Sequence, residues 1–346
     1  MLGLKGACQL KAVGYQEPLP IQDEKSLLDM EIPEPAAIGR DLLVEIRAVS
    51  VNPVDTKVRK SFKPEPGEYR ILGFDAAGVV KAAGPEAARF KPGDEVYYAG
   101  SIARPGTNSE LHLVDERIVG RKPKSLTFPQ AAALPLTTIT AWELLFDRLG
   151  VQRGKPAGAG SILISGAAGG VGSILIQIAR RLTGLTIIAT ASRPETQTWC
   201  RELGAHHVID HTKPLAAQLQ AIGIPRVELV ASLNGTDSHY AELVEVLAPQ
   251  GRFALIDDPQ TLDAKPLKRK AASLHWEYMF ARPVFNTPDI LLQHDLLEEV
   301  SGLIDEGMIR TTIAKELGTI SAAHLREAHA LIESGRSHGK VVLAGW

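Results

Sequence analysis

Thiols are scarce: Cys8 and Cys200 are the two cysteines in 346 residues. A disulfide framework and a four-cysteine structural metal site are both excluded, and a reducing compartment is the simpler assumption. Long apolar runs are lacking as well. No stretch reaches the roughly 18 apolar residues of a membrane-spanning helix. Blocks of like charge are also missing. The 38 basic residues nearly cancel the 40 acidic ones, for a formal net charge of -2, so electrostatic capture of nucleic acid or of an anionic membrane is not expected. The densest basic cluster, Lys268, Arg269 and Lys270, reads as a solvated turn. Residues 1–10 contain one lysine and no convincing apolar core for a secretory signal. They read as an irregular extension ahead of strand patterning from Lys11, and a cytoplasmic protein is expected.

What remains is the composition of a globular protein, 45% hydrophobic and 23% charged, with length for two domains of about 150 residues each. The first third reads as short strands broken by Pro and Gly, at residues 42–49, 76–80 and 95–98. That spacing suggests an antiparallel, partly barrel-like domain. Near Pro129 the character changes, with helix composition over 131–149 and a flexible stretch at 154–160. Strands are then expected at 162–165, 186–190, 207–209, 227–232, 252–256 and 273–279. Helices are expected at 173–182, 195–203, 214–221 and 238–247. Such alternation implies right-handed crossovers and a doubly wound parallel sheet covered on both faces, an α/β fold. The tail, with a helix at 289–306, a strand at 311–314, a helix at 322–333 and a strand at 340–344, returns to the first domain. The resulting division is 1–129 with 307–346, and 130–306.

The strongest motif runs from Ile162 to Gly172, a strand entering a Gly-rich turn that opens a helix. Gly166 permits the tight turn, and Gly169, Gly170 and Val171 bring backbone close to a pyrophosphate. Gly172 lets helix pack closely on strand. The exposed N–H groups and the positive end of the helix suit phosphate. The alternative is a glycine turn without a ligand. About 20 residues further on, an acid would bind a ribose 2′-hydroxyl, but the residues are Thr190, Ala191, Ser192 and Arg193. A hydroxyl and a guanidinium suit a 2′-phosphate, so NADPH is favoured over NADH. The bland reading is that Ser192 and Arg193 cap the next helix.

Four segments together, residues 48–57, 73–80, 90–96 and 166–172, resemble the medium-chain dehydrogenase/reductases over nearly the whole chain. Within that superfamily the chain is similar to the quinone oxidoreductase branch and to its zinc-type alcohol dehydrogenase-like members. The resemblance implies a GroES-like catalytic domain, a Rossmann domain and an active-site cleft between them. Where zinc-dependent relatives carry a ligand Cys, this chain has Asn52. Where they carry Gly-His-Glu it has Gly73, Phe74 and Asp75, and the third ligand position falls near Leu136. A catalytic zinc needs three Cys, His or carboxylate ligands, so no metal is expected. His206, His207 and His211 read as surface or packing residues.

Without a Lewis acid, hydride addition to a quinone or an α,β-unsaturated carbonyl is the expected chemistry. Asn52 resembles the polar residue on the floor of zinc-free sites, where its amide could hydrogen-bond the acceptor oxygen. Asp55 resembles the family aspartate of the same turn, with a structural Asx role as the alternative. Tyr69 is the nearest tyrosine to the family's proton-donor position. Thr56, Lys57 and bulk water are the alternatives. Thr140 resembles the threonine beside the nicotinamide, its alternative being an ordinary helix-interior residue. Asn234 and Ile256 fall at the carboxyl edge of the sheet, and Phe280 walls the nicotinamide or fills core. Trp142 and Trp276 read as packing residues, and Cys200 as inert. The superfamily commonly pairs its last strand edge-to-edge, which implies a homodimer acting on a small molecule, with neither nucleic acid nor membrane as partner. Two rival readings are a zinc alcohol dehydrogenase and a non-catalytic NADPH-binding or regulatory protein.

Overall fold

The computed structural model describes residues 9–156 and 158–346. Cys8, most of the expected leader, and Ala157 in the stretch at 154–160 lie outside the described residues. The chain divides into two compact units, one ending at Leu136 and resumed by Phe280–Trp346, the other Thr137–Met279.

The first unit begins with β1 (Gln9–Tyr15), two residues ahead of the expected patterning, followed by β2 (Leu28–Pro33) and β3 (Asp41–Val51). After helix α1 (Pro53–Ser61) come β4 (Arg70–Ile71), β5 (Ala76–Ala83), β6 (Glu95–Tyr98), β7 (Leu111–Asp115) and β8 (Val119–Arg121). β1 pairs antiparallel with both β2 and β4. The long strand β3 is the axis of the larger sheet, because it pairs antiparallel with both β5 and β7. Its burial is nearly continuous, as expected of a strand covered on both faces. The short helix α2 (Phe128–Ala132) is capped by Thr127 and Gln130 in a reciprocal box. It is followed by α3 (Pro135–Trp142) and a π-helical turn over Glu143–Arg148.

The second unit alternates as the periodicity predicts. Its elements are β9 (Ser161–Ser165), α4 (Gly170–Leu182), β10 (Thr186–Thr190), α5 (Pro194–Glu202), β11 (His207–Ile209), α6 (Leu215–Ala221), β12 (Val227–Ser232), α7 (Thr236–Val246), β13 (Leu247–Leu255), α8 (Lys265–Lys268) and β14 (Ser273–Trp276). All strands are parallel, in the order β11-β10-β9-β12-β13-β14, which is the doubly wound arrangement of a Rossmann domain. Leu163, Ile188, Val230 and Phe253 fill the interior. Lys270 is half-buried, and its ammonium donates to the carbonyls of Val244, Glu245 and Leu247 at 2.6–2.7 Å. It satisfies the carboxyl end of α7, where cations are favoured.

The chain rejoins the first unit at Phe280, earlier than residue 307. After α9 (Ala281–Phe285), helix α10 (Leu292–Asp305) packs on β8 so closely that a Cβ on Gly120 would stand 2.6 Å from Leu297 Cβ. Tyr97 also donates to the Leu297 carbonyl at 2.6 Å. An amphipathic helix carries no mark in its own sequence of which sheet it will cover, so the expected boundary slipped. β15 (Ile313–Glu316), α11 (Ala322–Glu333) and β16 (Lys340–Ala344) complete the unit, with β16 antiparallel to β3.

The last parallel strand is also shorter than expected, ending at Trp276 rather than 279. Trp276 is not a packing residue: it is 54% exposed at the edge of the sheet. The strand stops where Glu277 turns inward to a buried site. There it accepts a hydrogen bond from Arg148 at 2.9 Å, and its carboxyl is hydrogen-bonded to that of Glu143. Burial, and then the neighbouring Glu143, push the Glu277 carboxyl far above its ordinary 4.5. The folded state therefore keeps a proton there that the unfolded chain releases, and this contribution to stability declines as pH rises from about 4.5. Glu277→Gln should flatten that decline and raise the unfolding free energy at pH 8 by about 1–3 kcal/mol. Urea titrations at pH 5 and pH 8 measure it, and an unchanged pH slope would contradict the shared proton.

Candidate active site and nucleotide-binding edge

The cluster in the first unit starts at the turn between β3 and α1. Asn52 is the N-cap residue of α1, with extended backbone, and Pro53 follows at the first helical position. The Asp55 carboxylate reaches back to accept the Asn52 N–H at 2.8 Å and takes the Gly73 N–H at 2.9 Å. Asp55 is therefore a structural clamp between α1 and the loop entering β5, the Asx-type alternative. Its burial pushes the carboxyl up to about 7, against the lowering effect of those two N–H bonds.

The Asn52 side chain does not close the helix cap. Its Nδ2 donates to Asp75 Oδ2 at 2.7 Å, and its Oδ1 accepts from the Lys340 ammonium. Asp75 itself is fully enclosed. Its Oδ2 also accepts from Ser50 Oγ at 2.8 Å and from Lys340 Nζ at 3.0 Å, while Oδ1 accepts the Leu136 N–H at 2.7 Å. A carboxylate taken out of water costs several kcal/mol unless paired and hydrogen-bonded, and this one has an ammonium and three neutral donors. Asn52, Asp75 and Lys340 are each no more than 2% exposed.

This donor set does not fit zinc. Of the four positions, Phe74 and Leu136 bring no ligand atom, and Asn52 brings an amide already held at both ends. Asp75 has its oxygens occupied and an ammonium beside it. Among the described residues, no group of three or more His, Cys, Asp and Glu is placed to hold a metal ion.

Other residues singled out in the first unit are more scattered. Tyr69 is 47% exposed in the loop before β4. Phe280 is 3% exposed and meets Phe74 edge-on at 5.4 Å, as a core residue does.

In the second unit the glycine turn has the geometry of a phosphate cradle. Gly166 has φ +75°, a left-handed conformation that favours glycine. A Cβ on Gly172 would stand 2.4 Å from the Ala167 carbonyl oxygen, so only glycine lets α4 sit this close to the turn that follows β9. Gly169 is the N-cap and supplies no side-chain cap, leaving the leading N–H groups of α4, at Gly170, Val171 and Gly172, without a side-chain acceptor there. Those donors fit a pyrophosphate. At the end of β10 the Thr190 hydroxyl is buried without a partner. Ser192 follows half-buried, and Arg193 pairs with Glu195 at 3.2 Å while 40% exposed. Arg193 is the N-cap of α5 but makes no side-chain cap bond.

Asn234 is exposed after β12, and Ile256 is half-buried after β13. The adjacent Asp257 accepts the Thr236 N–H at 2.9 Å and ties those two loops together. Thr140 is buried within α3. Cys200 is buried, which pushes its thiol up to about 12 and leaves it unreactive. Sequence reasoning missed Lys340. Its one signal was a lysine opening an otherwise apolar strand.

Removing that cation should leave Asp75 an uncompensated buried charge. Lys340→Met is expected to cost ~3–5 kcal/mol of stability, and Asp75→Asn added to it should recover much of the loss. A double-mutant cycle by urea unfolding measures the coupling, and strictly additive losses would contradict it.

Comparison with known proteins agrees with this architecture. Residues 39–124 match the alcohol dehydrogenase GroES-like domain, and residues 203–343 match the zinc-binding dehydrogenase model. A zinc-type alcohol dehydrogenase-like protein of Staphylococcus aureus is 39% identical over 338 residues, 96% of this chain and 99% of that protein. A quinone oxidoreductase of Pseudomonas aeruginosa is 32% identical over 316 residues, 90% of this chain and 93% of its own. A crystal structure from Rhizobium etli, provisionally described as a zinc-dependent alcohol dehydrogenase protein, superposes with TM-score 0.95 at 59% identity, covering 98% of this chain and 99% of that one. With its GroES-like sheet, its Rossmann sheet and a donor set unsuited to zinc, the chain belongs to the zinc-type alcohol dehydrogenase-like proteins of the medium-chain dehydrogenase/reductase superfamily, which are NAD(P)H-dependent oxidoreductases.

Proposed function

We propose that the protein is an NADPH-dependent reductase of quinones or α,β-unsaturated carbonyls that works without a metal. The observation carrying this reading is the amide of Asn52, fixed by Asp75 and Lys340 at the position of a zinc ligand. The cofactor, when bound, supplies a hydride. A quinone or enone takes that hydride at carbon and delocalises the negative charge onto its own oxygen, so no Lewis acid is required. A hydrogen-bond donor at the oxygen is enough. An amide nitrogen carries two N–H groups. Asp75 takes one of Asn52's, and the second is the donor proposed for the acceptor oxygen. Asp55 is engaged by two backbone N–H groups, so it serves position rather than proton transfer. The proton then comes from water or from exposed Tyr69. The similarity to the Pseudomonas quinone oxidoreductase supports the acceptor class, and the Rhizobium description is the argument for the rival zinc reading.

On the cofactor side, Thr140, Phe280, Asn234 and Ile256 are proposed to line the dinucleotide, with the turn Gly166, Gly169, Gly170 and Val171 around its pyrophosphate. Ser192 and Arg193 would take the 2′-phosphate. Arg193 must leave Glu195 to do so. That exposed pair is worth at most about 1 kcal/mol, whereas a charge-assisted bond to phosphate is worth about 1.5–3 kcal/mol, so the exchange is favourable.

Arg193→Ala should therefore weaken NADPH about tenfold or more and NADH little. Equal losses for both cofactors would count against the 2′-phosphate role. A panel of quinones, enones and simple ketones assayed with NADPH tests the acceptor class, and turnover confined to simple alcohols and ketones would overturn it. Elemental analysis of the purified protein should find no stoichiometric zinc, and prolonged chelation should leave activity intact. We also propose a homodimer through the free edge of β14, since an exposed edge carrying Trp276 invites pairing. Light scattering should read two chains, and Trp276→Pro, which removes a ladder donor, should lower it to one.

A further inference from the structure

Ser173 is fully buried in the first turns of α4, directly behind the glycine turn. Its N–H donates to the Gly169 carbonyl at 2.9 Å. Its hydroxyl stands 2.7 Å from the same carbonyl oxygen, with that of Ala168 farther off at 3.3 Å. A helix serine bonding back to the carbonyl four residues earlier is an ordinary arrangement. The third partner is not. Trp199, half-buried on α5, donates its indole Nε1–H to Ser173 Oγ at 2.8 Å, across 26 positions of sequence. The indole has a firm base, because Gln197 on the same helix donates to the Ala191 carbonyl at 3.1 Å and ties α5 to the end of β10.

An indole nitrogen donates and cannot accept. Trp199 therefore takes a lone pair of Ser173 Oγ, which leaves the one hydroxyl proton for a carbonyl, the nearer being that of Gly169. The bonds run in a single direction, from Trp199 through Ser173 to Gly169. Two donors of Ser173 then hold the Gly169 oxygen, which fixes the plane of the peptide joining Gly169 to Gly170. In a trans peptide the N–H lies antiparallel to the carbonyl, so the Gly170 N–H is held pointing off the start of the helix, where an anion is favoured. Glycine backbone has no such preference of its own. The orientation comes from a side chain on the next helix.

We infer that Trp199 and Ser173 are positioning residues for the cofactor's pyrophosphate: through Gly169 they aim the Gly170 N–H at it, and their bonds tighten when it arrives. A phosphate accepting from Gly170 polarises that peptide and makes the Gly169 oxygen a better acceptor, so each bond behind it strengthens in turn. The inference rests on the reading above that the glycine turn surrounds the pyrophosphate, and it is indifferent to the choice between NADPH and NADH.

The full chain labelled with nitrogen-15 in tryptophan and glycine tests this by NMR, with ADP as a probe that has the pyrophosphate but neither a 2′-phosphate nor a nicotinamide. The Trp199 indole signal, identified by its loss in Trp199→Phe, should move downfield as ADP binds. Ser173→Ala keeps both the indole and the bound adenine but cuts the chain of bonds, so the movement should vanish there. In equilibrium binding, Ser173→Ala and Trp199→Phe should each weaken NADPH and NADH by the same factor, about threefold to tenfold. The double variant should lose no more than Ser173→Ala alone, because both changes cut one chain. An indole signal indifferent to ADP, a movement that persists in Ser173→Ala, unaltered affinities or additive losses would overturn the inference while leaving the cofactor reading standing. Gly169 and Gly170 amide signals that ignore ADP would place the pyrophosphate elsewhere, and the inference would fall with that reading. Were Trp199→Phe not to fold, single replacements of Trp142, Trp276 and Trp346 identify the Trp199 signal by elimination, and its response to ADP decides.

Discussion

The carboxylate of Asp75 organises the first unit. It is a fully enclosed charge, and its tolerance depends on four donors drawn from three separate stretches of chain: Ser50 in β3 with Asn52 just after it, Leu136 at the boundary of the unit, and Lys340 opening β16. Each donor fixes its own element. Ser50 and Asn52 settle the end of the axial strand and the start of α1. The Leu136 N–H settles the entry to α3, and Lys340 settles the register of the last strand against β3. Loss of any neutral donor leaves a weaker bond, whereas loss of the ammonium leaves an unbalanced charge, and the second is the larger cost.

This electrostatic design separates the chain from the chemistry that its family name suggests. A zinc site is an arrangement in which a metal cation gathers anionic and imidazole ligands. Here the local cation is an ammonium, the anion is already neutralised, and the neighbouring ligand positions are occupied by an amide and by hydrocarbon. On the proposed reading, Asn52 orients a donor toward a developing oxyanion, and the electrophilicity resides in the substrate.

Much of the second unit was legible in the sequence because parallel strands covered on both faces read as short apolar runs, and the glycines at 166, 169, 170 and 172 mark the strand-to-helix turn. β10, β11 and β12 fall where periodicity puts them. The first unit was legible only in part. Its strands are recognisable singly, but α10 is an amphipathic helix whose choice of β8 is made by Gly120 and Tyr97, nearly 200 residues away in sequence. Lys340 was opaque for the same reason. A lysine beside valines looks like a strand boundary until the carboxylate 265 positions earlier is brought beside it. The carbonyl-capping role of Lys270 was hidden too, because local composition cannot distinguish a solvated cation from one lying over a helix end.

That separation also orders the birth of the molecule. The Rossmann unit, Thr137–Met279, is one continuous segment and can close its core as soon as it has left the ribosome, since domains fold as units during synthesis. The GroES-like unit cannot. Asp75 is made 265 residues before Lys340, which at ordinary elongation rates is a wait on the order of tens of seconds. Throughout that interval the carboxylate has no internal countercharge and its burial is disfavoured, so the half that is synthesised first is the half completed last.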